Sequence, residues 1–140
     1  MQSKSQKFSD MVFTSVQEIA RLQQQGCDND RLARKYKSLC KRSGGVLRNS
    51  GLMQYLAFLK ARGQRPSERH HEQLYRHIEA EIRNTGVVGC DDDLFEHCRQ
   101  AGLSVYMRLT RDILLLLQWH KRLADMLIQG DASEDGEGGS

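Results

Sequence analysis

The chain predicts an all-α fold: one bundle of about six helices joined by short loops. Three observations carry this. Apolar residues recur at spacings of three and four and nowhere alternate. Pro66 is the only proline in 140 residues. The glycines collect at joints: Gly26, Gly44-Gly45, Gly51, Gly63, Gly86, Gly89, Gly102 and Gly130. A chain of this length is most simply one domain, and can bury about two-thirds of the surface it exposes when unfolded.

The first helix is expected from about Ser9, as N-cap, to Gln25, with Phe13, Val16, Ile19 and Ala20 as its apolar stripe and Gly26 as its stop. A second begins near Asp28 to Asp30, carries Leu32, Tyr36, Leu39 and Cys40 at helical spacing, and is expected to end at Gly44-Gly45. Ser50 is the expected cap of a third, with Leu52, Tyr55, Leu56 and Leu59 inward and Gly63 after it. Arg62 to Pro66 reads as a polar turn, and Ser67 as the cap of a fourth helix whose Leu74, Ile78 and Ile82 fall at i, i+4, i+8, with Gly86 at its end. Asp91, Asp92 and Asp93 precede Leu94, Phe95 and Cys98; acids at a helix start suit its dipole, and the run lacks the spaced ligands of a calcium loop. The last helix, about Leu103 to Gln129, is apolar almost all round at Ile113 to Leu117, which predicts that its middle is the most buried part of the fold. No internal repeat is visible.

The net charge of +3 conceals an asymmetry. Residues 131–140 hold Asp131, Glu134, Asp135 and Glu137 and no base, so residues 1–130 carry 21 bases against 14 acids, a net +7. The expected organisation is a helical domain over 1–130 and a disordered acidic Gly/Ser tail over 131–140. No segment reaches the roughly 18 consecutive apolar residues of a membrane span, so no membrane partner is expected. The N-terminus MQSKSQKFSD has no apolar core after its charges, which leaves the cytoplasm as the default location. Cys27, Cys40, Cys90 and Cys98 match no zinc spacing and are expected as free thiols.

Catalytic chemistry finds little support. In His70-His71-Glu72-Gln73-Leu74-Tyr75-Arg76-His77, Tyr75 occupies the place where a zinc-binding helix needs its second histidine, and His77 falls at another angle. His97, Cys98 and His120 are the candidates for nucleophilic chemistry, with no orienting group evident; His120 beside Trp119 reads as a packing or surface residue. No glycine loop of the phosphate-cradling or dinucleotide type is present, and nothing calls for a cofactor.

The strongest functional signal is charge. From Arg31 to Ser67 there are ten bases and no acid: Arg31, Arg34, Lys35, Lys37, Lys41, Arg42, Arg48, Lys60, Arg62 and Arg65. Ordinary helix surfaces mix signs at i, i+4. Here Arg31–Lys35 and Lys37–Lys41 repel instead, and a polyanion would relieve them. Arg34, Lys37, Lys41 and Arg48 fall into a stripe suited to phosphates, giving affinity without sequence choice. Tyr36 and Tyr55 sit on apolar faces and read as core.

The segments Arg34-Lys35-Tyr36-Lys37-Ser38-Leu39 and Val46-Leu47-Arg48-Asn49-Ser50-Gly51-Leu52-Met53-Gln54-Tyr55-Leu56-Ala57-Phe58-Leu59 resemble the small helical subunit of the Cmr complex, the type III-B CRISPR RNA-guided effector. Tyr106-x-x-Leu109-Thr110-Arg111 and Leu117-Gln118-Trp119-His120-Lys121-Arg122-Leu123-Ala124 are similar to its C-terminal helix. The resemblance implies a non-catalytic subunit in antiviral defence. Its copies stack in the minor filament beside the backbone subunits, and it contacts guide RNA and target RNA. The positions that match the family's basic groove are Arg34, Lys35, Lys37, Lys41 and Arg48, and the acid-free stretch adds Arg42, Lys60 and Arg62 to the expected nucleic-acid-binding set; Asn49 and Gly51 stand in the motif loop, with capping and a tight turn as their structural reading. The chain has Gly44-Gly45 where the family pattern often has proline, and its acidic tail is outside that pattern. Two other readings stand beside this one: a protein-interaction module docking an acidic partner without RNA, and a small helical enzyme using His97, Cys98 or His120.

Overall fold

The computed structural model describes residues 1–86 and 93–130. They form α1 (Lys4–Gln23), α2 (Cys27–Ser50), α3 (Leu52–Gly63), a 3-10 turn (Pro66–Glu68), α4 (Arg69–Arg83), α5 (Leu94–Gln100) and α6 (Leu103–Leu127), with no strand among the described residues. The all-α expectation is met. Cys90, Asp91, Asp92 and the segment 131–140 lie outside the described residues.

α6 is the central element, packed along α1 and α2, while α4 packs against α3 and α2. α1 and α6 run parallel: Lys4 meets Asp112 at 2.9 Å, and Gln23 donates to the Gln129 carbonyl at 2.7 Å. α2 and α6 run antiparallel, with Lys37 beside Asp125 and Gly44 beside Leu114. Each helix buries a stripe at helical spacing: Val12, Val16 and Ile19; Tyr36, Leu39 and Cys40; Leu52, Tyr55, Leu56 and Leu59; Leu74, Ile78 and Ile82; Leu109, Ile113, Leu116 and Leu117. Tyr36 and Tyr55 are fully buried, as their spacing predicts.

Several boundaries differ from expectation. α1 starts five residues before Ser9, because Ser3 and Gln6 form a capping box: the Gln6 N–H donates to Ser3 Oγ at 3.1 Å, and the Ser3 N–H to Gln6 Oε1 at 2.8 Å. Phe8 then joins the buried stripe and Phe13 is 38% exposed. α2 does not stop at Gly44-Gly45 but continues to Ser50. Each glycine costs about 1 kcal/mol relative to alanine, and burial of Ser43 and Leu47 on either side carries the helix through. Ser50 is therefore the last residue of α2 and not a cap. Gly51, at φ +86°, makes the joint, its N–H donating to Leu47 and its carbonyl accepting from Tyr55. Ser67 falls inside the 3-10 turn and gives α4 no side-chain cap. In α6, Leu115 is 39% exposed and Leu114 only partly buried, so the apolar run is not enclosed all round.

α5 is held by a polar clasp. Asp93 caps it, accepting from the Glu96 N–H at 3.2 Å. The same carboxylate accepts from Tyr75 Oη–H at 2.8 Å and from Lys60 Nζ at 3.1 Å, and Glu79 accepts from the Leu94 N–H at 2.9 Å.

A second polar cluster crosses the middle of the bundle. His120, fully buried rather than at the surface, donates from Nε2 to both Glu81 oxygens at 2.9 Å. Ser15 Oγ–H donates to Glu81 at 2.6 Å. His120 Nδ1 then accepts from Tyr36 Oη–H (3.1 Å), and the Tyr36 oxygen accepts from His77 Nδ1–H (2.8 Å). Four helices thus share one hydrogen-bonded chain, and each member satisfies a group that would otherwise be costly to bury.

Three buried histidines make the fold acid-sensitive. Burial first, then the neighbouring His71, Lys35 and Arg42, pushes His70 down to about 3 despite Glu68. Burial also lowers His71, against the pull of Glu68, and His77, where His120 adds to the effect and Glu81 and Glu18 oppose it. In the unfolded chain each titrates near ~6.5. Below that pH the unfolded state gains protons that the folded state refuses. The stability is therefore complete above about pH 6.5 and falls towards the folded pKa values, with a limiting slope of about 1.4 kcal/mol per pH unit for each group. The urea midpoint is expected to drop clearly between pH 7.5 and pH 5; an unchanged midpoint would contradict these protonation states.

Candidate nucleic-acid interface

Because a helix turns about 100° per residue, the basic stretch cannot stay on one face of α2. The structure divides it into three groups.

The first group lies on the seam with α6. Arg34, Lys37, Lys41, Gly44 and Arg48 follow one another at spacings of three and four, so the expected stripe exists. Its two ends behave differently. Arg34 is half-buried and bonded to Asp30, Nε to Oδ2 at 3.2 Å, and that pairing lowers the Asp30 pKa. Lys37 is buried, its Nζ donating to the Ile128 carbonyl at 2.8 Å and the Gly130 carbonyl at 3.0 Å. It satisfies the orphan carbonyls that follow α6, where a cation is also favoured by the helix dipole. Lys41 and Arg48 are exposed. Opposite them α6 supplies Gln118, Lys121, Arg122 and Asp125, and these six side chains line one groove. Its acid, Asp125, is 67% exposed and 4.0 Å from Lys41, and an exposed pair of that kind contributes little. Arg48, Lys121 and Arg122 have no acidic partner among the described residues. An added methyl at Gly44 would meet Arg48 and Leu114 at ordinary van der Waals distance, 3.6 and 4.0 Å, so the approach of α2 to α6 here does not depend on the glycine.

The second group faces the start of α4. Lys35 Nζ donates to the Ser67 carbonyl at 3.2 Å, and Arg42, though exposed, is near enough to disfavour protonation of His70 and His71. The third lies at the far end of α3. Lys60 is part of the Asp93 clasp, and Arg62 pairs with Glu68 at 2.8 Å while its guanidinium sits over the Phe58 ring. Asn49 is exposed in the last turn of α2, and Gly51 makes the turn already described. Of the eight expected basic contacts, the structure brings only Lys41 and Arg48 together as open groove residues. It adds Lys121 and Arg122, which sequence reasoning did not select. Their adjacency to Gln118 and Asp125 was visible; the antiparallel pairing that puts them opposite Lys41 was not.

The groove can bind phosphates through mobile ammonium and guanidinium groups, but no aromatic ring lines it for base stacking. The residues considered for catalysis are not assembled. His120 is committed to Glu81 and Tyr36, and burial pushes the Cys98 thiol up to about 11, away from a nucleophilic thiolate. No cluster of three or more His, Cys, Asp or Glu able to hold a metal occurs among the described residues, and no helix among them is long and apolar enough to cross a membrane.

The model of a family described as CRISPR-associated protein (Cas_Cmr5) matches residues 4–127. The CRISPR system Cmr subunit Cmr5 of Thermus thermophilus is 30% identical over 131 residues, covering 92% of this chain and 99% of the relative. A crystal structure of a CRISPR-associated Cmr5 family protein from Thermus thermophilus superposes with a TM-score of 0.71 at 29% identity, covering 92% of this chain and all of that one. The likeness read from the Arg34–Leu39, Val46–Leu59 and Leu117–Ala124 blocks is thus borne out over nearly the whole helical body, and the chain belongs to the CRISPR-associated Cmr5 family.

Proposed function

We propose that this protein is a structural, non-catalytic subunit of a type III-B CRISPR ribonucleoprotein, one that holds guide and target RNA by their backbone in the α2–α6 groove. Family membership supports its place among other Cmr subunits, backbone subunits and copies of itself, in antiviral defence in the cytoplasm. The single observation that carries the RNA contact is the groove itself: Lys41, Arg48, Lys121 and Arg122 converge on it from two helices against one exposed acid. Sequence would be read by guide–target pairing, while the protein supplies positive charge along a fixed scaffold, as in other RNA-guided effectors.

The test is a complex reconstituted with K41A/R48A/K121A/R122A. Removing a base that meets a phosphate weakens binding in a salt-dependent way. Target-RNA affinity near physiological salt is expected to fall on the order of tenfold or more, with the particle still assembled. Wild-type affinity in an intact particle would remove the groove from the RNA path.

A protein-docking role has its own support. Leu103, Met107, Leu115 and Met126 of α6 are exposed apolar side chains, Leu103 by 75% and Met126 by 65%. They suit contact with neighbouring subunits. Loss of assembly by the groove variant, with RNA binding by the free chain unchanged, would favour this second reading over the first.

A further inference from the structure

The acidic C-terminal segment follows Gly130, which is held on the α2 stripe one helical turn before the groove residue Lys41. Gly130, the last described residue, is anchored to the α2 stripe: its carbonyl accepts from Lys37 Nζ at 3.0 Å, and a Cβ at its position would lie 2.9 Å from Arg34 Cδ. Its φ of +87° is a turning conformation. From Lys37 the stripe continues to Lys41, about 6 Å further along the axis, and Arg48, about 16 Å further, at 1.5 Å per residue. Beyond Gly130 the chain has ten more residues, with acids at Asp131, Glu134, Asp135 and Glu137 and no base. At about 3.3 Å per extended residue, Glu134 can reach ~13 Å from Gly130 and Glu137 ~23 Å. That reach is long enough to bring the acids to Lys41, Lys121, Arg122 and Arg48. A short tether also holds them near the groove at an effective concentration in the ~mM range.

We infer that the acidic segment 131–140 is an internal competitor for the groove, its carboxylates occupying the positions that RNA phosphates take. The inference rests on the reading of the groove as a phosphate site. The contact is electrostatic and tethered, so RNA, with many phosphates in a row, displaces it, while isolated short anions compete poorly. Its role is to raise the threshold for binding outside the assembled particle, where stray RNA is abundant. A contact between exposed charges fades as the screening length shrinks to about 3 Å near 1 M salt.

Two measurements on the full chain test it. The first compares wild type with D131N/E134Q/D135N/E137Q for binding to a single-stranded uridine oligonucleotide. The neutralised chain is expected to bind about threefold or more tighter at low salt, with the two curves converging as salt rises. The second is zero-length carbodiimide coupling of the wild type at low salt, read by peptide mass spectrometry. Intramolecular links from Glu134, Asp135 or Glu137 to Lys41 or Lys121 are expected, and the Asp125–Lys41 pair at 4.0 Å serves as internal control. Absence of tail links while the control forms overturns the inference, as do equal affinities of the two chains. If K41A/R48A weakens both chains equally and the tail changes nothing, the inference fails alone. If neither chain binds the oligonucleotide, the groove reading fails and the competition falls with it.

Discussion

Glu81→Ala is expected to destabilise the protein by about 3 kcal/mol or more, because it leaves two buried donors unpaired at about 1–3 kcal/mol each. The size follows from what is left behind. His120 is fully buried and Glu81 is its sole acceptor at Nε2; Ser15 Oγ–H donates to the same carboxylate. Deletion leaves both donors without their acceptor and breaks the order of donors through Tyr36 to His77. Glu81→Gln, which keeps an acceptor oxygen, should lose clearly less. Urea unfolding followed by circular dichroism measures both; equal losses in the two variants would mean that volume, not hydrogen bonding, sets the effect.

Gly63→Ala is expected to lower stability by about 2 kcal/mol, within the range for overpacking and net of the helix propensity that alanine gains. A Cβ at Gly63 would lie 2.8 Å from the Glu72 backbone nitrogen and Cβ and 3.0 Å from its Cα. These atoms belong to the body of α4 and cannot rotate aside, so α3 and α4 must move apart. Gly45→Ala is the control: nothing lies within 4 Å of its added methyl, and about 1 kcal/mol of propensity should be gained. The two variants should therefore shift the melting temperature in opposite directions.

The fold class was legible because helical spacing is a local property, and stripes such as Leu74, Ile78 and Ile82 are wholly buried as their spacing requires. Boundaries were less so. Gly44-Gly45 reads as a stop because its cost is local, whereas the packing of Ser43 and Leu47 that overrides it comes from other helices. Ser3 and Gln6 carried a readable capping signal, but Ser9 was the more obvious cap beside the apolar stripe. The candidate site was legible as charge and not as geometry. Ten bases without an acid are adjacent only in sequence: Glu68, Asp93 and Asp125, from outside the stretch, neutralise or approach part of it. Lys37 is diverted to cap α6. Lys121 and Arg122 join the groove only through the antiparallel contact of α2 with α6. The resemblance to a family supplied what residue spacing did not, an RNA-guided context for a basic helical surface.

Where RNA meets the protein is tested most directly by two variants that remove the same charge from different places. K41A/R48A takes two bases from the groove; R62A/R65A takes two from the far end of α3, where both pair with Glu68. Log affinity for single-stranded RNA is measured against log salt for each, in the assembled particle. A phosphate contact on a single strand contributes about 0.7 to that slope. The groove variant is expected to flatten it by about 1.4 and the α3 variant to leave it near wild type. Equal slopes for the two variants would show that only net charge matters, and would contradict a phosphate track between α2 and α6.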